Sequence, residues 1–323
     1  MALFVNTNVK SIHVQRKLDN NTNTLDTSYH RLASGHRINT AQDDAAGLQI
    51  SERLTTQIKG LDRGNRNSDE GLGFLQTVDG AVDEIVNSLQ RARTLLVQTA
   101  NGTNSHADIE ALGKELSSIF LHCSAIATDT TYAGEKILMG YQKANGESIY
   151  EPASQNAANF DPGALRLQVG ANANTFIDAR IENFFLPEII NSHKPNGGND
   201  TIEKLADGVF KIAKDNDGKA ESMTLDIKTH DDARKALAVM DYIIGEVDSR
   251  RGDVGSYMNR LESTMRNHAN GFENHSDVRS RLRDTDFASE TALLTQKSMI
   301  QQSSQTILTQ ANQNPSLAMA LLK

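Results

Sequence analysis

The sequence predicts a mainly α-helical protein whose two chain ends together form a long coiled-coil bundle, with a β-hairpin and a small α/β insert between them. First, proline is absent from residues 1–151 and 196–314, which permits long helices because proline breaks helix interiors. Second, apolar residues recur every three or four positions along parts of both stretches, as on one face of a helix. Third, apolar residues occupy every second position at 165–169 and at 177–181, which is typical of strands.

The first long helix is predicted from a stripe in the N-terminal half of the chain. Spacings of three and four place its apolar residues on one face, and the stripe continues back through Leu54, Ile58 and Leu61. Its main part consists of Leu75, Val78, Val82, Ile85, Leu89, Ala92 and Leu96.

A longer stripe in the C-terminal half is typical of a coiled-coil seam. Only Arg251 and His268 interrupt its apolar character. The helix is predicted to begin near Thr229, whose hydroxyl can cap the first turn, and Asp231 and Asp232 suit the positive end of the helix dipole. The stripe consists of Leu237, Met240, Ile244, Val247, Arg251, Val254, Met258, Leu261, Met265, His268 and Phe272.

Both extreme ends of the chain carry narrower stripes. Apolar residues recur every seven positions at Leu18, Leu25 and Leu32, and again at Leu293, Ile300 and Ile307, with Leu321 two repeats further on. The positions around them are mostly Asn, Gln, Thr and Ser. Neither terminal helix can bury enough surface to be stable alone, so we expect each to need a partner.

The middle of the chain has a different pattern. Residues 165–169 and 177–181 alternate around the turn-prone GANANT at 170–175, which predicts a β-hairpin. We also expect a helix from about Thr201 to Lys214, with Ile202, Leu205, Val209 and Ile212 on one face, and a short strand at Leu225 and Ile227. Because the long seams lie outside 183–228, we expect this insert to be dispensable for assembly.

Several function classes are disfavoured. The net charge is −8 and the basic residues are scattered, so a nucleic-acid partner is not expected. The sequence has neither an apolar run long enough for a membrane span nor the apolar core of a signal peptide. The histidines form no zinc motif, no serine lies in GxSxG, and Cys123 is the single cysteine. We therefore expect no enzyme, no metal and no cofactor.

Four sequence segments carry a resemblance to bacterial flagellin. They are RLASGHRINTAQDDAAGLQISERLTTQIKGLDRGNRNSDEGL at 31–72, LQRARTLLVQTANGTNS at 89–105, SRLRDTDFASE at 280–290 and ILTQANQNPSLAMALL at 307–322. The resemblance implies signature residues for assembly at Arg31, Asn39, Asp43, Asp44, Gly47, Arg66, Asn67, Arg281, Asp284 and Asp286.

The resemblance also implies an architecture. Residues 1–43 and 284–323 would form a terminal helical filament core, 44–182 and 229–283 a shell of helices and a β-hairpin, and 183–228 a small variable outer insert. The residues expected to pack the core are Leu18, Leu25, Leu32, Leu293, Ile300, Ile307, Leu308, Leu321 and Leu322.

The implied function is that of a subunit that polymerises with itself into the extracellular flagellar filament for swimming. Its implied partners are the cap and hook-associated junction proteins, an export chaperone and the type III export apparatus, with export that uses no cleaved signal peptide. An innate immune receptor reads the segment of Leu89, Gln90, Arg91 and Leu95 in some members. Here Thr94 stands where many members have Glu.

A hook–filament junction protein of the same fold is the alternative function. Such proteins commonly have proline after the paired aspartates, whereas Asp43 and Asp44 are followed here by Ala45 and Ala46. An enzymatic insert within 183–228 would need a catalytic motif, and none is present there.

Overall fold

The computed structural model describes residues 7–140, 150–152, 163–192, 209–214 and 220–320. The helices are α1 Val9–Ser34, α2 Ala45–Thr99, α3 His106–Asp129, α4 Leu186–Ser192, α5 His230–Arg283 and α6 Phe287–Ala320. The strands are β1 Thr131–Tyr132, β2 Glu135–Lys136, β3 Glu151–Pro152, β4 Gly163–Gln168, β5 Phe176–Ile181, β6 Phe210–Lys214 and β7 Ala220–Leu225.

The chain divides into two compact units, and α2 and α5 contribute to both. Unit 1 comprises residues 1–59 and 271–323, and unit 2 comprises residues 60–270. The mainly helical fold class, with terminal helices that pack together and small antiparallel strand pairs in the middle, is confirmed. Within the described residues, no helix is both long and apolar enough to cross a membrane.

The core of unit 2 is built on the two long helices. Every residue of the stripe from Leu75 to Leu96 is buried, as are Met240, Val247, Val254 and Leu261 of the second stripe. Near the start of α5 the buried face is wider, because Ala236, Val239 and Ile243 are also buried. The predicted stripes therefore follow the faces along which these helices pack, except at the last position of the second stripe, where Phe272 is 40% exposed.

The N-terminus of α5 lies where the sequence predicts it. The Thr229 hydroxyl accepts a hydrogen bond from the Asp232 backbone N–H at 3.2 Å, and the Asp232 carboxylate accepts one from the Thr229 N–H at 3.0 Å. The two side chains thus satisfy two N–H groups that would have no partner within the helix.

The predicted hairpin is formed by β4 and β5, which pair Leu165 with Ala179 and Leu167 with Ile177. It lies against a stretch of α2 where side chains are small. A β-carbon added at Gly64 would overlap the carbonyl oxygen of Val169, and one added at Gly71 would collide with Leu167. Glycine is needed here because the hairpin approaches the helix backbone closely.

The helix predicted over 201–214 is wrong where the chain is described. Residues 210–214 form β6, which pairs antiparallel with β7, and residues 201–208 lie outside the described residues. The predicted strand is present, but β7 ends at Leu225 and does not include Ile227. A strand forms here because residues 210–214 hydrogen-bond to β7 and Phe210 packs edge-on against Phe120 at 5.9 Å. These interactions stabilise the strand more than the short apolar pattern favours a helix.

The insert 183–228 also contributes to the core, although the long seams of the helices lie outside it. Phe184, Leu186 and Ile190 are fully buried in the core of unit 2. The backbone N–H of Phe184 donates to the carbonyl of Leu138 at 2.8 Å, and the Ser117 hydroxyl donates to the carbonyl of Leu225 at 3.0 Å. Apolar residues of the insert therefore complete the core that the long helices begin.

Unit 1 contains the pair of terminal helices, α1 and α6. At the end of α1, Gly35 adopts a left-handed conformation with φ 72°, and its N–H donates to the carbonyl of Arg31. The Thr285 N–H then donates to the carbonyl of Gly35 at 2.9 Å. His36 and Asp284 form an isolated antiparallel bridge beside it. These bonds join the segment just after α1 to the segment just before α6.

Candidate self-assembly surfaces

The predicted core-packing residues differ in their surroundings. Leu25 is buried in the α1–α6 pair, and Leu18, Leu32, Leu293 and Leu308 are half-buried. By contrast, Ile300 is 41% exposed and Ile307 is 48% exposed. Leu321 and Leu322 lie outside the described residues. The stripe predicted on α6 thus turns partly away from its partner helix.

Further apolar side chains are exposed on the same two helices. Val9, Ile12, Phe287 and Met299 all have more than half of their surface open to solvent. Val9 and Ile307 also line an open, mostly apolar groove of about 440 Å³ between the helices. Unit 1 therefore presents apolar surface that the described residues leave uncovered.

Several signature residues shape the turn that follows α1. The Asp43 carboxylate accepts hydrogen bonds from the backbone N–H groups of Asn39 and Thr40 at 3.1 and 2.9 Å, and these bonds lower the pKa of Asp43. Asp44 caps α2 by accepting from the Gly47 N–H at 2.9 Å. A β-carbon at Gly47, in the first turn of α2, would collide with the side chains of Asp44 and Ile38, so glycine leaves room for the Asp44 cap.

The signature residues of the C-terminal segment lie at the matching turn before α6. Asp284 is 3.1 Å from His36 Nδ1, and Asp286 caps α6 by accepting from the Ala288 N–H at 3.0 Å. Arg31 lies 3.9 Å from Glu290. The structure thus brings Arg31, Asn39, Asp43, Asp44, Gly47, Asp284 and Asp286 into the turns and helix ends of unit 1.

The remaining signature residues have other surroundings. Arg281 pairs with Asp277 one turn away at 2.9 Å, and Arg66 pairs with Asp62 at 3.3 Å. The Asn67 side chain donates to the carbonyl of Gln168 at 2.8 Å. Asn67 therefore ties the hairpin to α2 in unit 2.

The segment implied in receptor recognition is divided between core and surface. Leu89 is fully buried and Leu95 is half-buried, whereas Gln90 and Arg91 are exposed. Arg91 pairs with Glu115 of α3 at 2.9 Å. The side chain of Thr94, the position where many members have Glu, donates to the carbonyl of Gln90 at 3.0 Å.

Two arginines outside the predicted set hold the elements of unit 2 together. Arg251 donates to Asp79 and Asp83 of α2, each at 2.7 Å. Arg250 pairs with Glu182 and Glu246 and donates to the carbonyl of Asn183. Arg251 was detectable in the sequence as a charge within an apolar seam, but its acidic partners 168 and 172 positions away were not.

The thiol of Cys123 is buried in the core of unit 2. Burial raises its pKa to about 11, although the Ser88 side chain opposes this by hydrogen bonding. A thiol at this pKa is almost wholly protonated at neutral pH, so it is a poor nucleophile. It packs as a small apolar side chain.

Comparisons with known proteins agree over most of the chain. The family described as "Bacterial flagellin N-terminal helical region" matches residues 5–143, and "Bacterial flagellin C-terminal helical region" matches residues 237–322. "Polar flagellin F" of Vibrio parahaemolyticus is 35% identical, and the alignment covers 100% of each chain. "Flagellin D" of Vibrio cholerae is 34% identical with the same coverage.

A solved structure of a flagellar hook-associated protein from Vibrio parahaemolyticus has a TM-score of 0.55 at 14% identity, covering 75% of this chain and 100% of that one. This likeness shows a shared fold alone. The matching family regions are those of flagellin, so the junction-protein alternative is not favoured. The chain belongs to the bacterial flagellin family, whose members are structural subunits of the extracellular flagellar filament.

Proposed function

We propose that this chain polymerises through the outward apolar surface of its terminal helix pair, so that neighbouring copies cover the side chains a single chain leaves exposed. The supporting observation is the exposure of Ile300 and Ile307 on α6, together with Val9 and Ile12 on α1. Burying an aliphatic side chain of this size contributes about 1.5–3 kcal/mol, and in a polymer this gain recurs at every subunit.

The same observation supports an assignment of residue ranges to the filament core, the shell and the outer insert. Residues 1–43 and 284–323, where the apolar surface is exposed, form the filament core. Residues 44–182 and 229–283, whose apolar residues are mostly buried within the chain, form the surrounding shell. Residues 183–228 make a small outer insert that is anchored in the shell by Phe184 and Phe210.

The signature residues are proposed to preserve the shape that assembly requires. Asp43, Asp44 and Asp286 cap helix ends, and Gly47 leaves room for the Asp44 cap. Arg66 and Arg281, which make exposed pairs within their own helices, remain available for contacts between copies. We propose a structural role without catalysis, cofactor or nucleic-acid partner, as in the rest of the family.

The proposed partners follow from where an exported subunit travels. An export chaperone would cover the apolar face of α6 before the chain enters the type III apparatus, without a cleaved signal peptide. At the filament end, the cap and hook-associated proteins would meet the same terminal helices. For an innate immune receptor, Gln90 and Arg91 supply the exposed part of the implied segment.

Negative-stain microscopy of the purified chain under polymerising conditions tests the proposal. Long tubes of uniform width are expected from a filament subunit. A junction protein would instead add only to the ends of preformed filaments and stop growth. The absence of tubes at high concentration, with the monomer folded, would contradict the proposal.

A further inference from the structure

The faces along which α1 and α6 contact each other carry polar side chains among the apolar ones. On α1, the inward positions are spaced alternately by three and four residues, and three of these seven residues are polar. They are Ser11, Val14, Leu18, Asn21, Leu25, Ser28 and Leu32. On α6 the inward positions include four polar residues, and they are Glu290, Leu294, Lys297, Gln301, Ser304, Leu308 and Ala311.

Apolar burial by itself does not fix the orientation of α6. Leu293, Ile300 and Ile307 form a second series with the seven-residue spacing of Leu18, Leu25 and Leu32. A rotation of α6 about its axis would bring this series against α1 and hide it within the chain. The rotation would also turn Leu294 and Leu308 away from α1, so hydrophobic burial does not select between the two orientations. In the observed one, Ile300 is 41% exposed and Ile307 is 48% exposed.

Polar contacts along the inward face hold the observed orientation. Asn21, which is only 6% exposed, donates from its side chain to the carbonyl of Lys297 at 2.8 Å. The Ser11 hydroxyl donates to the Asn312 side chain at 2.7 Å, and Asn8 donates to the carbonyl of Ala311 at 2.8 Å. Glu290 is buried beside Arg31.

A rotated α6 would disrupt these contacts. Asn21 would then face isoleucine side chains, and a buried amide without a partner is strongly disfavoured. Glu290 would move away from the single cation that lies beside it among the described residues. Buried polar groups in paired helices are known to select one arrangement over others at some cost in stability.

We propose that the polar inward seam, centred on Asn21, sets the rotation of α6 and so keeps Ile300 and Ile307 facing outward for a second copy of this chain. Asn21 acts as a positioning residue for assembly. The inference rests on the proposed function, but the orientation of α6 can be measured in the monomer without any filament.

Cysteine labelling measures the orientation directly. In a Cys123→Ala background, single probes at Ile307→Cys and Ser304→Cys report the outward and inward faces. With Asn21 present, the probe at 307 is expected to react with a maleimide several-fold faster than the probe at 304. Asn21→Leu is expected to slow the probe at 307, speed the probe at 304 and raise the critical concentration for assembly.

Two control variants separate orientation from stability. Asn21→Gln keeps an amide donor, and Asn20→Leu adds leucine at the exposed neighbouring position; both are expected to preserve the labelling pattern. An unchanged pattern in Asn21→Leu would overturn the proposal. Fast labelling of both probes would also overturn it, because Asn21 would then hold the pair together instead of orienting it. The proposal would also be overturned if Asn21→Leu reversed the labelling rates of the two probes and still assembled normally.

Discussion

Arg251 of α5 and Asp79 of α2 form an ion pair at 2.7 Å across the seam of the two long helices, and Asp83 accepts a second bond from the same guanidinium at 2.7 Å. The hydrogen bond to Asp79 is the main reason why the pKa of Arg251 is raised. The Arg251 guanidinium, although it lies within an apolar seam, thus binds two carboxylates that are one helical turn apart on α2.

Arg251→Ala is expected to destabilise unit 2 by about 1–2 kcal/mol, because charged hydrogen bonds are lost while solvent screens the partly exposed carboxylates. Urea unfolding followed by circular dichroism measures the change. Arg234→Ala, which removes an exposed pair with Asp231 at 3.9 Å, serves as the control and should cost less than about 0.5 kcal/mol. Equal effects of the two changes would show that the seam pair has no special role.

Gly64→Ala is expected to displace the β4–β5 hairpin, because the added β-carbon would overlap the backbone of Val169, which cannot move aside as a flexible side chain can. A cost above about 2 kcal/mol is expected from such overpacking. Gly73→Ala, where a β-carbon meets nothing within 4 Å, should instead be neutral or stabilise the helix by up to about 1 kcal/mol. Amide hydrogen exchange over residues 164–181 measures the protection of the hairpin. Unchanged protection in Gly64→Ala would contradict the expected displacement.

Phe184→Ala should cost about 3–5 kcal/mol, because it leaves a cavity in the core of unit 2. The matched control is Phe176→Ala, since Phe176 is 37% exposed and stacks under Arg166 at the hairpin surface; about 1 kcal/mol is expected there. Deletion of 183–228 is accordingly expected to unfold unit 2. A deletion variant with a normal thermal transition would show that the insert packs without supporting the core.

Ile300→Ala and Leu308→Ala are each expected to raise the critical concentration for assembly markedly, because a truncated aliphatic side chain at a packed site costs about 2–5 kcal/mol. Lys297→Ala should have less effect, since it keeps the backbone carbonyl that Asn21 contacts and a half-buried charge with access to solvent is usually worth less than about 1 kcal/mol. Sedimentation of polymer against monomer measures the three values. Equal damage from the lysine change would mean that charge holds the filament core together.

Amide hydrogen exchange of the monomer should be much faster in α1 and α6 than in the middle of α2. The physical reason is that α1 buries one large apolar side chain, Leu25, whereas α2 is lined by fully buried residues from Leu75 to Leu96. On polymerisation the terminal helices should become protected as neighbouring copies cover them. Protection of both terminal helices equal to that of the middle of α2 in a verified monomer would contradict this.

The sequence by itself determined the long helices, their buried faces and the hairpin. These features repeat over many residues: seven apolar positions from Leu75 to Leu96 cannot share one helical face by accident, and GANANT between two alternating segments has few alternatives. The cap at Thr229 could also be predicted from the sequence, because Thr229 and Asp232, whose side chains form it, are only three positions apart. The candidate assembly residues at the termini were found from a seven-residue repeat and from the flagellin signature strings.

Only the tertiary structure decided the features that depend on distant partners. Residues 210–214 became a strand because residues 220–225 pair with them and Phe120 packs against Phe210, and the insert joined the core because α3 and α5 leave apolar surface to cover. The orientation of α6 was likewise undecided in the sequence, where two seven-residue series compete for α1. Hydrogen bonds between residues far apart in the chain, such as Asn21 with Lys297, turn the series of Leu294, Gln301 and Leu308 towards α1 and leave Ile300 and Ile307 exposed.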